Sequence, residues 1–512
     1  MKSLLAYPAY PDTFWSFRHA LRFVSKKACF PPLGLLTVAA MLPADWDKRL
    51  VDMNVRPLRD EDIEWADCVF LSAMAVQKAS AQEVVRRCNK LGRRVVAGGP
   101  LFTTAHEEVS GVDHLVLGEA EVTLPLFLAD FAAGCPKPVY ASSERPELDR
   151  TPTPMWSLVN MNHYATMNVQ YSRGCPFDCE FCDIIFLNGH RPRTKSREQM
   201  LGELDSLYAH GWRGSVFVVD DNFIGNKKKL KEETLPAIGE WGKARNYPFT
   251  YYTEASINLA DDEDLMQLMA AAGFSKVFVG IETPNEDSLN ECNKLQNSGR
   301  DLADSVKIIQ NHGFEVQGGF IVGFDNDPAS IFKSQINFIQ KTGIVTAMVG
   351  LLNAPPGSKL YQRLKKENRI VSDFSGDNTD CSMNFVPKMD PERLVSGYKQ
   401  ILTTIYAPKQ YYRRVLTFLK EYKPPRLRWL PLFRPYHITA FIKSMWVLGV
   451  LDRGRTQFWK LLAVSLVRHP HMLPLSISLA CFGWHFRKVA EKVAASVGPA
   501  DLSGAAVPVP HD

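Results

Sequence analysis

Over the first 140 residues, short apolar runs alternate with longer stretches whose apolar positions recur at helical spacing. The runs KSLLAY (2–7), RLVDM (49–53), CVFLSAM (68–74), RRVVAGG (93–99) and DHLVLGE (113–119) read as five parallel strands. LGLLTVAAMLP and SAQEVVRRCNKLG read as crossover helices between them. The pattern predicts a doubly wound, Rossmann-like α/β domain over residues 1–140. A polar, proline-containing stretch, ASSERPELDRTPTPMW, then marks a linker at 141–160. A second alternation follows, with NVQYSRG, SVFVVDDN, FTYYTEAS, KVFVGIET, VQGGFIVGF and VTAMVGLLN as six strands. Helical stretches such as SREQMLGELDSLYAHG and DDEDLMQLMAAAG separate them. Six βα units over 161–390 predict a partial barrel, with its chemistry at the C-terminal ends of the strands. From 391 to 495 the strand signal stops and the chain reads as helical; the Gly, Pro and Ala tail at 496–512 is expected to be disordered.

Composition narrows the class more than the chemistry. The chain has 512 residues, 46% hydrophobic and 22% charged, with a net charge of +5. That is a multidomain globular protein with no global sign of nucleic-acid binding. Its start, MKSLLAYPAYPDTFW, reaches Pro8 and Asp12 before an apolar signal core develops. Ten cysteines without such a signal lead to the expectation of a chain in the reducing cytoplasm, and no stretch has the 18 or so apolar residues of a membrane span.

Three of those cysteines lie together in YSRGCPFDCEFCDI (171–184), at the end of the first barrel strand. Cys175, Cys179 and Cys182 lack the fourth ligand that closes a structural zinc site. Three thiolates suit a [4Fe-4S] cluster with one iron left open. The alternative is a zinc knuckle completed from elsewhere, with His190 as a candidate ligand.

The Cys-x3-Cys-x2-Cys spacing, with Phe181 before the last cysteine, resembles the signature of the radical S-adenosylmethionine (SAM) enzymes. The resemblance implies that the open iron chelates SAM, which is cleaved to a 5'-deoxyadenosyl radical that abstracts hydrogen from an unactivated carbon. It implies an external electron donor of flavodoxin or ferredoxin type. It also carries SAM contacts to Asp220, Asp221 and Asn222 after the second barrel strand, to Glu254 and Ser256 after the third, and to Glu282 after the fourth. The bland readings are a strand-ending turn for the first three and solvated loop carboxylates for the others. GGFIVGF (318–324) would let the backbone approach an adenine, or mark a bulge.

An α/β domain ahead of such a barrel resembles the cobalamin-binding module of one subfamily. Ser72, Gly98 and Gly99 stand at strand ends, where small residues would admit the cofactor's nucleotide tail. The Asp-x-His-x-x-Gly motif of many such modules is replaced after the first strand by YPAYPDTFW, so cobalamin is expected to bind without a histidine on cobalt. Tyr7, Tyr10 and Trp15 are candidates to cover that face, although aromatics after a strand commonly serve the core. QYSRGCPFDCEFCDI, RGSVFVVDDNFIGN, EASIN, FVGIETP and FPPLGLLTVAAMLP resemble segments of the branch that contains the hopanoid C-2 methylase. The resemblance thus implies a cobalamin-dependent C-methyltransferase acting on a lipid or other hydrophobic metabolite. The alternative is a carbon–carbon coupling, ring-forming or rearrangement enzyme.

Between residues 409 and 470 there are thirteen Lys or Arg against two acids, interleaved with aromatics. That suits peripheral contact with anionic lipid at the inner face of a membrane, or a helical cap with charges facing water. No nucleic-acid partner is expected, because no β-platform of stacking aromatics accompanies the bases.

Overall fold

The computed structural model describes residues 1–424 and 435–496. The front sheet is built from β1 (Lys2–Tyr7), β2 (Asp47–Asp52), β3 (Cys68–Ser72), β4 (Arg94–Gly98), β5 (His114–Leu117) and β6 (Val139–Ala141). Its order is β2-β1-β3-β4-β5-β6, and every pairing is parallel. The order reverses between β1 and β3, so the crevice at a topological switch point opens beside Tyr7 and Ser72. The edge strand β6 is additional to the five read from sequence. Helices cover both faces, which is why the central strands are continuous apolar runs.

The second sheet comprises β7 (Met167–Val169), β10 (Gly214–Val218), β11 (Phe249–Glu254), β12 (Phe274–Glu282), β13 (Glu315–Val322) and β14 (Ala347–Leu351), in the order β14-β13-β12-β11-β10-β7. These six parallel strands are the partial barrel that the alternation predicts. Between β7 and β10 lies a short antiparallel hairpin, β8 (Ser172–Arg173) with β9 (Arg193–Thr194), which carries the cysteine segment in its loop. Side chains of the barrel strands alternate in use. Val216, Val218, Tyr251, Val277, Val279, Phe320, Val322, Val349 and Leu351 are buried in the main core with the surrounding helices. The intervening Phe217, Tyr252, Phe278, Ile321 and Met348 are half-buried and line the other face, so the barrel lumen is aromatic and apolar. The paired glycines of β13 serve packing there: a Cβ on Gly319 would stand 2.8 Å from the Phe278 ring, and one on Gly318 2.7 Å from Phe320. The close approach they permit here is by protein rings.

Two connections are more structured than the sequence suggests. The stretch expected as a linker at 141–160 packs down, with Leu148 and Trp156 buried. The segment after β1 is held to the front domain as far as Tyr10, whose N–H donates to Asn54 Oδ1 at 3.0 Å, and then leaves it. Phe14 stacks on Phe486 with centroids 4.2 Å apart, and Nε2 of the buried His485 lies 3.0 Å from the Phe14 carbonyl. Burial holds that imidazole down at about 4, so it is neutral and donates from Nε2. Trp15 meets Phe278 edge-on at 5.5 Å, and Phe30 lies 5.5 Å from Phe217. Residues 8–32 thus reach into the barrel flank and bind it to the C-terminal helices.

Those helices are Pro391–Ile405, Pro408–Glu421, Pro435–Trp446, Arg455–Arg468 and Leu473–Ala495. Tyr406 donates to the Ala347 carbonyl at 2.7 Å, and the buried Arg414 donates to the carbonyls of Ile405 and Val345, which seats the first two helices against β14. Among the described residues no helix is long and apolar enough to cross a membrane. The tail from 497 onward, and Arg426, Arg428 and Arg434 of the basic region, lie outside the described residues.

Candidate functional site

The cysteine loop is rooted by acids at the end of β10. Asp220 accepts from the Tyr171 N–H at 2.8 Å and from Ser172 Oγ at 2.6 Å. Asp221 Oδ2 accepts from the Gly174 N–H and from Asn188 Nδ2, both at 2.9 Å. Burial lifts the Asp220 carboxyl to about 7, against the pull of those donors. The two aspartates expected at SAM therefore hold the loop's entry and exit, and Asp220 has both oxygens engaged.

The loop is also tied across the barrel by the acids inside its own motif. Glu180 takes a bidentate pair from Arg363 (2.6 and 2.9 Å), and its N–H donates to the Cys292 carbonyl at 2.9 Å. Asn293 donates to the Asp178 carbonyl at 2.8 Å, and Lys359 pairs with the Asp178 carboxylate. Cys179 is buried, with Cys175 and Cys182 half-buried. Burial pushes the Cys175 and Cys182 thiols up, and the proximity of Cys179 adds to both shifts, so three thiolates here need positive charge beside them. Part of that charge is Lys294, whose Nζ lies 2.7 Å from Glu282 Oε1. Burial opposes the Lys294 charge, but Glu282 and then Cys179 outweigh it and raise the ammonium above its ordinary value. Gln296 Nε2 points at Cys179 Sγ from 3.6 Å. Neither residue was foreseeable from sequence, being more than a hundred positions from the cysteines.

Among the described residues no three His, Cys, Asp or Glu side chains converge as they would on a single ion. His190 stands exposed, 3.9 Å from Asp178, and completes no zinc tetrahedron. Three neighbouring thiols on one loop suit a cluster that takes each on a different iron, so the donor set fits [4Fe-4S].

Beside this loop is a cavity of about 480 Å³ whose lining includes Pro176, Phe177, Asn222, Lys227, Ser256 and Asn258. Asn222 Oδ1 accepts from the Ser256 N–H at 3.2 Å, which joins the ends of β10 and β11. Glu254 closes β11 and makes no side-chain hydrogen bond among the described residues. Burial, then Asp221 and Asp220, raise its carboxyl to about 8. It is a proton-bearing group with free lone pairs at the mouth of the barrel. Glu282 is different: it is buried, held at φ 61 and taken up by Lys294, so the structure gives it to the cysteine side of the site.

At the front domain, Ser72 and Gly98 are register partners on β3 and β4. A Cβ on Gly98 would stand 2.6 Å from the Val116 carbonyl, and one on Gly99 would collide with the Ser72 hydroxyl. These residues are small where the strand ends approach one another. Among the described residues the front domain's histidines are engaged elsewhere: His19 pairs with Asp12 at 3.3 Å, His106 follows Pro100–Ala105, and His114 opens β5 with Nδ1 on the Lys137 carbonyl. The residues present fit a cobalamin without a protein ligand to cobalt. Tyr7, at the end of β1, and Tyr10 beyond it both lie close to Asp52, while Trp15 has gone to the barrel.

A buried ionic network fixes the two sites against each other. Glu119 and Glu121 follow β5; Arg173 and Arg193 are on β8 and β9. Arg173 bonds Glu119 and Glu121, each at 2.8 Å, and Arg193 bonds Glu119 at 2.6 Å. Burial would raise the Glu121 carboxyl, yet Arg173 brings it down to about 2. The C-terminal edge of the front sheet thus abuts the hairpin that carries the cysteine loop.

Comparison with known proteins agrees with this division. The radical SAM superfamily matches residues 169–338, the B12 binding domain 22–128, and a domain of unknown function, DUF4070, 358–498. An uncharacterized methyltransferase of Synechocystis sp. is 40% identical over 97% of this chain and 94% of its own length. The hopanoid C-2 methylase of Rhodopseudomonas palustris is 32% identical over 91% and 89%. Among solved structures, the radical SAM methyltransferase TsrM of Kitasatospora setae, with cobalamin and a [4Fe-4S] cluster bound, superposes with a TM-score of 0.61 over 96% of this chain and 99% of its own. The cobalamin-dependent radical enzyme OxsB gives 0.60 over 96% and 79%. Both are 14% identical, a likeness of fold.

Proposed function

The chain belongs to the cobalamin-dependent radical SAM enzymes, whose cofactors are a [4Fe-4S] cluster, SAM and cobalamin, and from that premise we propose that it methylates an unactivated carbon of a lipid or other hydrophobic metabolite. When bound, the cluster supplies the electron that splits SAM homolytically, and cobalamin carries the methyl group. Cys175, Cys179 and Cys182 hold the cluster, with Lys294 and Gln296 beside the thiolates. Asp220 and Asp221 act as positioning residues through the loop. Asn222, Ser256 and Glu254 bind SAM in the cleft next to it. Ser72, Gly98 and Gly99 shape the edge on which cobalamin lies.

The observation that carries this reading is the Glu119–Arg173–Arg193 network, which sets the cobalamin edge against the root of the cysteine loop. A lumen lined by Phe217, Tyr252, Phe278, Ile321 and Met348 excludes water and suits an apolar acceptor. The names of the two curated relatives support methyl transfer, and the second supports a lipid. The electron donor is an external flavodoxin or ferredoxin.

Incubating the anaerobic holoenzyme with methyl-deuterated SAM, dithionite and a total lipid extract tests this directly. A deuterated methyl group in a lipid product is expected. Deoxyadenosine without label in any lipid would instead favour coupling, ring formation or rearrangement. A second test addresses the cleft. Glu254→Gln keeps the side chain's shape but removes a carboxylate that a SAM ammonium would ionise, and SAM affinity is expected to fall roughly tenfold. Equilibrium dialysis checks this, with unchanged iron content showing that the cysteine loop is intact.

A further inference from the structure

The C-terminal helices carry a surface that the proposed reaction does not use. Of the sixteen large apolar residues exposed in the described structure, nine fall between Ile438 and Val467. That concentration within a stretch of thirty residues is not the scattered exposure of an ordinary monomer. On Pro435–Trp446 the exposed large apolar residues are Ile438, Phe441, Ile442 and Trp446, which recur at helical spacing, so one stripe of the helix is apolar and faces out. Val450 and Leu451 continue it through the turn, and Trp459, Leu466 and Val467 carry it along Arg455–Arg468.

The charge around this face is predominantly basic. Lys443, Arg453, Arg455, Lys460 and Arg468 are exposed, while the single acid of the stretch, Asp452, is buried and paired with Arg487. Beside the face runs a groove of about 550 Å³ whose lining includes Phe23, Val447, Leu451 and Trp484, with Arg22 and Arg453 among its bases and Glu491 as its exposed acid. Neither of those guanidinium groups has a carboxylate partner among the described residues. The neighbouring Lys443 is spent on the Arg22 carbonyl and on Ser25 Oγ at 2.8 Å, which anchors the helix to Arg18–Val24.

We propose that this face docks on an anionic lipid bilayer, with Ile438, Phe441, Ile442, Trp446, Leu466 and Val467 entering the headgroup and acyl boundary and Arg22 and Arg453 meeting lipid phosphates. Aromatic and branched apolar residues between exposed bases match the two halves of such a surface. A second copy of this chain is a poorer occupant. A two-fold interface would bring the same row of cations against itself. The helix Arg18–Val24 beneath the face continues from the Phe14–Trp15 turn that touches the barrel strand β12, so the docked surface lies on the side from which an apolar acceptor reaches the lumen. That last link rests on the methylation reading; the docking itself does not.

Flotation of the full-length holoenzyme with vesicles tests it, using pure phosphatidylcholine against phosphatidylcholine containing about a third phosphatidylglycerol. Binding to the anionic vesicles is expected, weakening at high salt, with little binding to neutral ones. Ile442→Asp with Trp446→Asp should reduce binding roughly tenfold or more. Arg22→Glu with Arg453→Glu should remove the preference for anionic lipid and leave the cluster absorption unchanged, which shows that the chain is folded. Equal binding to both vesicles, or none to either, overturns the proposal. So does a dimer in sedimentation velocity that the Ile442 and Trp446 substitutions dissociate. None of these readouts requires methyl transfer, so failure here and failure of the label experiment are separable.

Discussion

Cys179→Ala yields a folded chain that carries no cluster absorption and forms no deoxyadenosine from SAM under dithionite. Cys179 is the middle thiol of the loop and its most buried, and both Lys294 and Gln296 are directed at it. Without it two thiolates remain, too few to hold a cubane against loss of iron. The fold itself loses little, because a buried cysteine behaves as a small hydrophobe and Ala leaves a space of one sulfur atom, a change of about 1 kcal/mol. Cys292→Ala is the matched control. Its thiol also lies near Cys179, but its part in the loop is played by its carbonyl, which accepts from Glu180 and survives the substitution. Iron and sulfide content should therefore vanish in the first variant and persist in the second. Equal retention in both would place the cluster elsewhere.

Glu119→Ala should be among the most destabilising single changes in the chain. Glu119 is buried and answers two guanidinium groups. Arg173 would keep Glu121, but Arg193 would be left buried with only the Pro146 and Asn188 carbonyls. Stranding a buried charge in this way costs about 3–5 kcal/mol. The effect should concentrate where the front sheet meets the β8–β9 hairpin, so amide exchange at Tyr171–Gly174 should accelerate while the front-domain core stays protected. Chemical denaturation followed by hydrogen exchange checks both parts. A loss below about 1 kcal/mol would mean that water or a rearranged Glu121 replaces the carboxylate.

What was legible in the sequence is what local chemistry encodes. The six barrel strands were readable because one face packs on helices and the other lines the lumen, so apolar residues alternate or run on without interruption. The cysteine loop was readable because its ligands lie within eight positions of one another. The edge strand Val139–Ala141 was not, being three residues with two exposed, and β8 and β9 are only two residues each. The roles of Asp220 and Asp221 were half visible: their place at a strand end marks the site, but that they bind the loop's own backbone emerges only when β10 is laid beside β7. Lys294 and the Glu119 network were invisible for the same reason, since their partners come together only through the fold. The glycines were legible as points of close approach. Gly99 and Gly319 signal close approach correctly, yet what approaches is Ser72 in one case and Phe278 in the other.

The central claim is that three thiolates from one loop leave an iron open to SAM. Electron paramagnetic resonance of the reconstituted, reduced protein, recorded with and without SAM, tests it most directly. The account predicts a spectrum that changes when SAM is added, followed by accumulation of deoxyadenosine. A cluster signal indifferent to SAM, with no deoxyadenosine formed, would contradict it.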